Sequence, residues 1–538
     1  MVFARRSTTL LAAIIASCAM VLSLTACTSD NKTVVDGQTT VTSNSAGGVA
    51  VFTPSDGITL NQQMPLNKWA KLVPDLAKAL ADAGFKKGDI DHTTSDSLAK
   101  QSRAIQDFVV DHLSNNTTDD SGIAIAPDNM TLLVAPVVEA DASTRQYGDY
   151  VSQNLSTNDA TDGEATSDGE SSEDDSSNTE SDSTASDEQA QAVDRLVSSL
   201  KLAKESGMHV VLLGNSIEGY KPDAFVKFSD AQTIGKLQAE KMVSKLKLDK
   251  ASKDNPKYIE VLLPYTAVDE KGNANDSTFA QEAFRGIWQV LGSYYQKGVV
   301  ESPSGTLDGK STENDWQAVA YDAAKEGSTA KVLDKRLAKT DGQSTLTRID
   351  GIITMNDYIA SEVVKELDDL GYTGSAADIN PQITISGIVG NITGKKDLSR
   401  DAVPDPIKSP ENDNANDSSS SDDDADEDTS ASDKDRDSQW PLVTGYGAYV
   451  SNIPSIVNGK QWMTGMEDRQ TIATDIAQAC AKLNKDEALN SMPSIRNSEV
   501  GGVKKIPTIS EPLLAVSASN LKSALIDPGY ISLADAGL

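Results

Sequence analysis

Chemistry-bearing side chains are scarce in this chain. Its 538 residues include three cysteines and three histidines, and only 5% are aromatic. The histidines, His92, His112 and His209, stand far apart, and no H-E-x-x-H, C-x-x-C, P-loop or G-x-G-x-x-G pattern occurs. Gly214-Asn215-Ser216-Ile217-Glu218 comes nearest to a nucleophile elbow, but Glu218 stands where the tight turn needs glycine. Carboxylate pairs are uninformative in a chain this acidic. The sequence thus offers no catalytic residue, no metal ligand set and no cofactor motif, and the expectation is a protein that is not an enzyme. Basic clusters are also missing. Lys and Arg number 48 against 80 Asp and Glu, a net charge of −32, which excludes a phosphate-reading nucleic-acid partner.

Cysteine usage points outward. Cys18 and Cys27 lie at the start of the chain, so only Cys480 is left for a folded domain and no internal disulfide is available to it. Within the apolar stretch IAQACAKL, Cys480 is expected to be a small core residue. Ahead of it all, Arg5 and Arg6 precede an apolar run from Leu10 to Leu24, followed by Leu24-Thr25-Ala26-Cys27. A run this short reads as a secretory signal over residues 1–26. Its end has the lipobox pattern of bacterial lipoproteins, in which Cys27 is diacylated and becomes the N-terminus. Two acyl chains suffice for stable anchoring. The expected location is therefore the extracytoplasmic face of the bacterial cell membrane, reached by lipid alone, with residues 27–47 as a flexible leash.

The negative charge is concentrated. Residues 157–188 hold twelve acids and no base, and residues 411–438 hold twelve acids against Lys434 and Arg436. Both stretches are too poor in apolar groups to offset the entropy of ordering, so disordered acidic insertions are expected over 154–190 and 405–438. Neither has the spacing of a calcium loop.

Between these stretches, strand and helix patterns alternate. Val49–Phe52 is β-rich, and Lys68–Gly84 places Trp69, Leu72, Leu76 and Leu80 on one helical face. The run MTLLVAPVV at Met130–Val138 is continuously apolar, as a strand covered on both faces must be. Further strands are expected at His209–Leu213, Ala224–Phe228, Tyr258–Leu263, Gly351–Thr354, Gln382–Ser386 and Leu442–Thr444. Helices are expected at Val193–Ser206, Ala231–Lys247, Ala280–Lys297, Ile359–Leu370 and Thr471–Leu483. Such alternation makes parallel sheets with helices on both faces, and the length calls for two of them. The fold class expected is α/β, with two doubly wound lobes joined by a hinge. Lobe 1 is expected over 48–228, lobe 2 over 229–466, and 467–538 is expected to return to lobe 1 and end as a hinge segment. A ligand would bind in the cleft, at carboxyl ends of strands. Polar and aromatic residues follow several strands there: Lys68-Trp69, Asn356-Asp357 and Gly445-Tyr446-Gly447. Together they make a kit for a sugar ring and its hydroxyls.

Longer stretches carry a resemblance. LNKW at Leu66–Trp69, FVKFSDAQTIGKLQAEKMV at Phe225–Val243 and YIEVLLP from Tyr258 resemble segments of the type 1 periplasmic solute-binding proteins of sugar ABC importers. VTGYGAYVSNIPSIVNGKQWMTGMEDR from Val443 and GGVKKIPTISEPLLAVSASNLKSALIDPGYI from Gly501 do so as well. The chain is most similar to their xylose/multiple-monosaccharide branch. The resemblance implies a two-lobed receptor for a small sugar or sugar derivative, with an ABC permease as partner. It assigns ligand contacts to Lys68 (an arginine in the family), Trp69, Asn356 and Asp357. Elsewhere the family's pattern is replaced. Its Asp-Arg pair becomes Gly214-Asn215, its Asp-Asn-Asn triple falls on Ser277-Thr278-Phe279, its Gln-Asp becomes Tyr446-Gly447, and its lysine becomes Glu467. The candidate ligand-binding residues are therefore Lys68, Trp69, Asn215, Phe279, Asn356, Asp357, Tyr446 and Glu467. Each lost charge-assisted bond costs roughly 1.5–3 kcal/mol. These replacements imply a ligand other than a free pentose or hexose, or a degenerate cleft serving as a sensor or interaction scaffold. In the second case Lys68 and Glu467 are expected to pair with each other.

Overall fold

The first strand shows why this chain layers as it does. β1 (Gly48–Pro54) is buried almost throughout. Val49 and Val51 point into one core cluster, while Ala50 and Phe52 point into another. A strand apolar on both faces needs helices on both. On one side α1 (Trp69–Asp82) packs with α8 (Arg469–Leu483). On the other α2 (Leu98–Asn115) packs with α3 (Glu180–Glu205). The computed structural model describes residues 46–55, 65–115, 129–138, 142–151, 153–156, 180–268, 276–323, 325–338, 345–377 and 438–538. The signal sequence, Cys27, the leash, the strand expected at 382–386 and residues 157–179 and 405–437 lie outside them.

Two main sheets divide the described chain. The first also contains β2 (Ile90–Ser95), β3 (Met130–Val134), β4 (His209–Leu213), β5 (Ala224–Lys227), β11 (Ile495–Val500) and β12 (Val503–Ser510), in the order β11-β12-β5-β4-β3-β1-β2. The second comprises β6 (Lys257–Val261), β7 (Val300–Glu301), β8 (Gly351–Ile353), β9 (Leu442–Tyr446), β10 (Met463–Met466) and β13 (Leu514–Ser517), in the order β7-β6-β8-β9-β10-β13. Counted within its own lobe, each sheet begins with the strand order 2-1-3-4-5. That order has its switch point beside the first strand. Pairing is parallel except where β11 meets β12 and β13 meets β10. The two doubly wound lobes expected from the alternation are present.

In lobe 2, α4 (Ala231–Leu246) packs against α5 (Thr278–Gln296), and α6 (Ser328–Arg336) against α7 (Asp357–Leu370). The approach of α4 to α5 requires two glycines. A Cβ on Gly235 would lie 2.2 Å from the Ala283 carbonyl oxygen, and one on Gly286 would lie 2.0 Å from that of Gln232. The chain crosses between sheets three times: between Lys227 and Ala231, between Met466 and Arg469, and between Ser510 and Leu514. After the last crossing it stays with the second sheet, where Val516, Leu521, Leu525 and Tyr530 pack with Ile453, Ile456 and Met466.

At both its ends the expected acidic insertion 154–190 is ordered. Asn154–Leu155 pairs in parallel with Ser216–Ile217, and α3 starts at Glu180. Val193, Leu196 and Leu200 bury the far end of α3. Cys480 is fully buried and free, and burial pushes its thiol well above the usual range.

Candidate functional site

Carboxyl ends of strands from both sheets meet at one place. Lys68 and Trp69 open α1 after β1, and Asn215 follows β4. Asn356 and Asp357 follow β8, Tyr446 ends β9, and Glu467 follows β10. Phe279 alone comes from a helix, in the first turn of α5.

Glu467 is the polar centre of this junction and is only 1% exposed. Its Oε1 accepts the Ser229 N–H at 2.6 Å and the Ser229 hydroxyl at 2.5 Å, while Tyr446 Oη lies 2.5 Å from Ser229 Oγ. Ser229 lies on the first crossing and Glu467 on the second, so this network joins two of the three connections. Burial pushes the Glu467 carboxyl up to about 7, against the opposing effect of the Ser229 hydrogen bonds. Burial likewise raises the Tyr446 phenol well above its ordinary value. Asn67 Oδ1 accepts the Glu467 N–H at 3.4 Å. Among the described residues, the Nδ2 of this buried Asn67 has no acceptor. Lys68 and Glu467 do not pair with each other. Lys68 Nζ instead donates to Asp149 Oδ1 at 2.8 Å, and the Trp69 N–H donates to Asp149 Oδ2 at 3.1 Å, so a single carboxylate neutralises the lysine and caps α1.

Asp357 is turned into its own lobe. Gln461 Nε2 donates to Oδ1 at 2.7 Å, and Oδ2 accepts the Tyr449 N–H at 2.9 Å and the Thr464 hydroxyl at 2.8 Å. A Cβ on Gly445 would lie 2.2 Å from Asp357 Oδ1, so glycine is required there. Burial pushes this carboxyl up to about 6. With both oxygens occupied, Asp357 holds the β9 and β10 ends together. Asn356 caps α7 through Ile359 N–H and spends its Nδ2 on Gln146 Oε1 at 3.1 Å. Asn215 also serves the backbone: its Nδ2 donates to the Pro136 carbonyl at 2.9 Å, and its Oδ1 accepts the Gln153 N–H at 3.0 Å.

The aromatic candidates stand in two groups. Trp69 packs edge-on against Tyr150 and Phe228, with ring centroids at 5.1 and 5.7 Å. Phe279 lies 4.7 Å from Tyr147, which in turn lies 6.3 Å from Tyr446. Tyr147 and Tyr150 both come from the connection after β3, and so do Gln146 and Asp149. Along with Asn67 and Ser229, these residues were missed in the sequence reading. The signal that could have found them is the aromatic and polar run Gln146-Tyr147-Gly148-Asp149-Tyr150, lying after a strand and just ahead of an acidic stretch. A cavity of about 730 Å³ opens elsewhere, at the amino ends of β4 and β5, lined by His209, Asp223 and Arg496 and touching none of the candidate residues. Among the described residues no cluster of side chains fits a metal ion, and no helix is long and apolar enough to cross a membrane.

No family model matches the chain, and no curated protein does. Solved structures do. An ABC-transporter solute-binding protein from Clostridium phytofermentans with bound β-D-glucose is 17% identical, with 91% of this chain and 99% of that one covered at a TM-score of 0.44. A carbohydrate-transporter solute-binding protein from Chloroflexus aurantiacus, in complex with D-glucose, is 18% identical, with 92% and 98% covered at 0.43. A periplasmic ribose ABC-transporter protein from Conexibacter woesei is 14% identical, with 90% and 96% covered at 0.41.

Proposed function

We propose that this chain is an extracytoplasmic solute-binding lipoprotein, anchored through acyl chains on Cys27, that captures a small carbohydrate-like solute between its lobes for an ABC permease. The observation that carries this reading is the meeting of strand carboxyl ends from both sheets at one polar and aromatic junction, where open parallel sheets bind their ligands. Trp69, Phe279 and Tyr446 supply ring faces for the C–H face of a sugar. Lys68, Asn356 and Glu467 supply hydroxyl partners of both hydrogen-bonding senses. The crossings at 228–230, 467–468 and 511–513 serve as the hinge in this reading.

A second reading, an interaction scaffold with a silent cleft, is favoured by one observation. Lys68, Asn356, Tyr446 and Glu467 already have partners within the chain. A thermal-shift screen of monosaccharides and oligosaccharides separates the two. A receptor is stabilised by at least one glycan in a saturable way, and Trp69→Ala abolishes the shift. A flat response across the panel favours the scaffold.

A further inference from the structure

We propose that residues 144–151 form a strap that acts as an intramolecular occupant of the cleft, holding the lobes together by contacts that a solute would otherwise make. This rests on the reading of the junction as a solute site and adds its regulation. The strap alternates its attachments. Asp149 and Tyr150 belong to lobe 1: the first binds Lys68 and the Trp69 N–H, and the second packs against Trp69 and donates its hydroxyl to the Lys68 carbonyl. Gln146, Tyr147 and Val151 reach lobe 2. Gln146 Oε1 accepts from Asn356, its carbonyl accepts the Tyr449 hydroxyl at 2.7 Å, and Tyr147 and Val151 sit in the lobe 2 core cluster.

Several features mark the strap as a built element. The connection from β3 to α3 takes up residues 135–179, whereas such connections usually need about 2–6 residues. Asn215 ties both flanks of the strap to lobe 1, through Pro136 and Gln153. Gly148, at φ +95°, lets the strap lie directly on Asn67, since a Cβ there would come 2.6 Å from the Asn67 carbonyl oxygen. Among the described residues, the strap nevertheless leaves one donor unmet, Asn67 Nδ2, which is buried beside it. A solute carrying an acceptor at that point makes a bond the strap does not. Being tethered, the strap competes at an effective concentration on the order of millimolar. A cleft free of it about one part in a hundred binds its solute roughly a hundredfold more weakly than an unstrapped one.

The test uses the full chain with spin labels on Lys78→Cys in α1 and Lys241→Cys in α4, both exposed positions in different lobes. Double electron–electron resonance of the parent should give a single interlobe distance. Gln146→Ala combined with Tyr147→Ala should add a second, longer one. Tyr449→Phe, which removes only the hydroxyl bound to the strap and keeps the ring, should add a smaller share of it. An unchanged single distance in both variants overturns the proposal, as does a parent already spread over both distances. D-xylose, D-glucose, xylobiose and cellobiose are titrated by calorimetry in parallel, and the double variant should bind at least one of them tenfold more tightly than the parent. Separated lobes without sugar binding uphold the strap and refute the receptor reading for these sugars. Equal binding with an unchanged distance does the reverse.

Discussion

Glu467→Gln isolates the effect of burying one ionisable group at the crossing between lobes. The Glu467 carboxyl has an ordinary value of 4.5 and is pushed up to about 7 in the fold, with burial as the leading cause and Asp230 adding to it. Between those two values the folded chain keeps a proton that the unfolded chain has released. Stability contributed by the neutral carboxyl is therefore complete below pH 4.5 and is lost as the pH rises toward 7. At about 1.4 kcal/mol per unit, the loss above pH 7 amounts to about 3 kcal/mol. Glutamine cannot ionise, and its Oε1 can still accept both Ser229 bonds. Thermal melts at pH 4.5 and pH 8 should show parent and variant nearly alike in acid, with the variant melting roughly 3–6 °C higher in base. A difference between parent and variant that is the same at both pH values would refute the reasoning.

If Cys27 is the acylation point proposed above, Cys27→Ser should release the protein from membranes or leave it as unprocessed precursor, as read by fractionation and mass. Arg336→Ala should destabilise lobe 2 by about 3–5 kcal/mol in denaturant titrations. It removes the partner of Glu260, which is fully buried and, among the described residues, is otherwise held by Ser302, Ser304 and Thr306.

The lobes were legible because each main element carries its own period. Trp69, Leu72, Leu76 and Leu80 lie on one face of α1 and are all buried, and the apolar run at β3 is covered on both faces. β10 was not foreseen from its residues. Met463-Thr464-Gly465-Met466 has no alternation, and it is a strand because it pairs with both β9 and β13. The site was half legible. Strand ends pointed to Lys68, Trp69, Asn356 and Tyr446, and Glu467 came from the family resemblance alone, but nothing local fixes which way a polar side chain turns. Asp357 faces its own lobe because the Tyr449 N–H, Gln461 and Thr464, far along the chain, converge on it. The strap is marked in the sequence only by the aromatic and polar composition of Gln146-Tyr147-Gly148-Asp149-Tyr150. A segment of eight residues held by contacts to Lys68, Asn356 and Tyr449 has no periodicity of its own.

The most direct test of a solute site between the lobes is calorimetric titration of the Gln146→Ala/Tyr147→Ala chain with a panel of monosaccharides and oligosaccharides. Removing the strap's lobe 2 contacts takes self-occupancy out of the measurement. At least one glycan should bind saturably, and adding Trp69→Ala should weaken it tenfold or more, about 1.4 kcal/mol. No binding by any member of the panel would contradict the account.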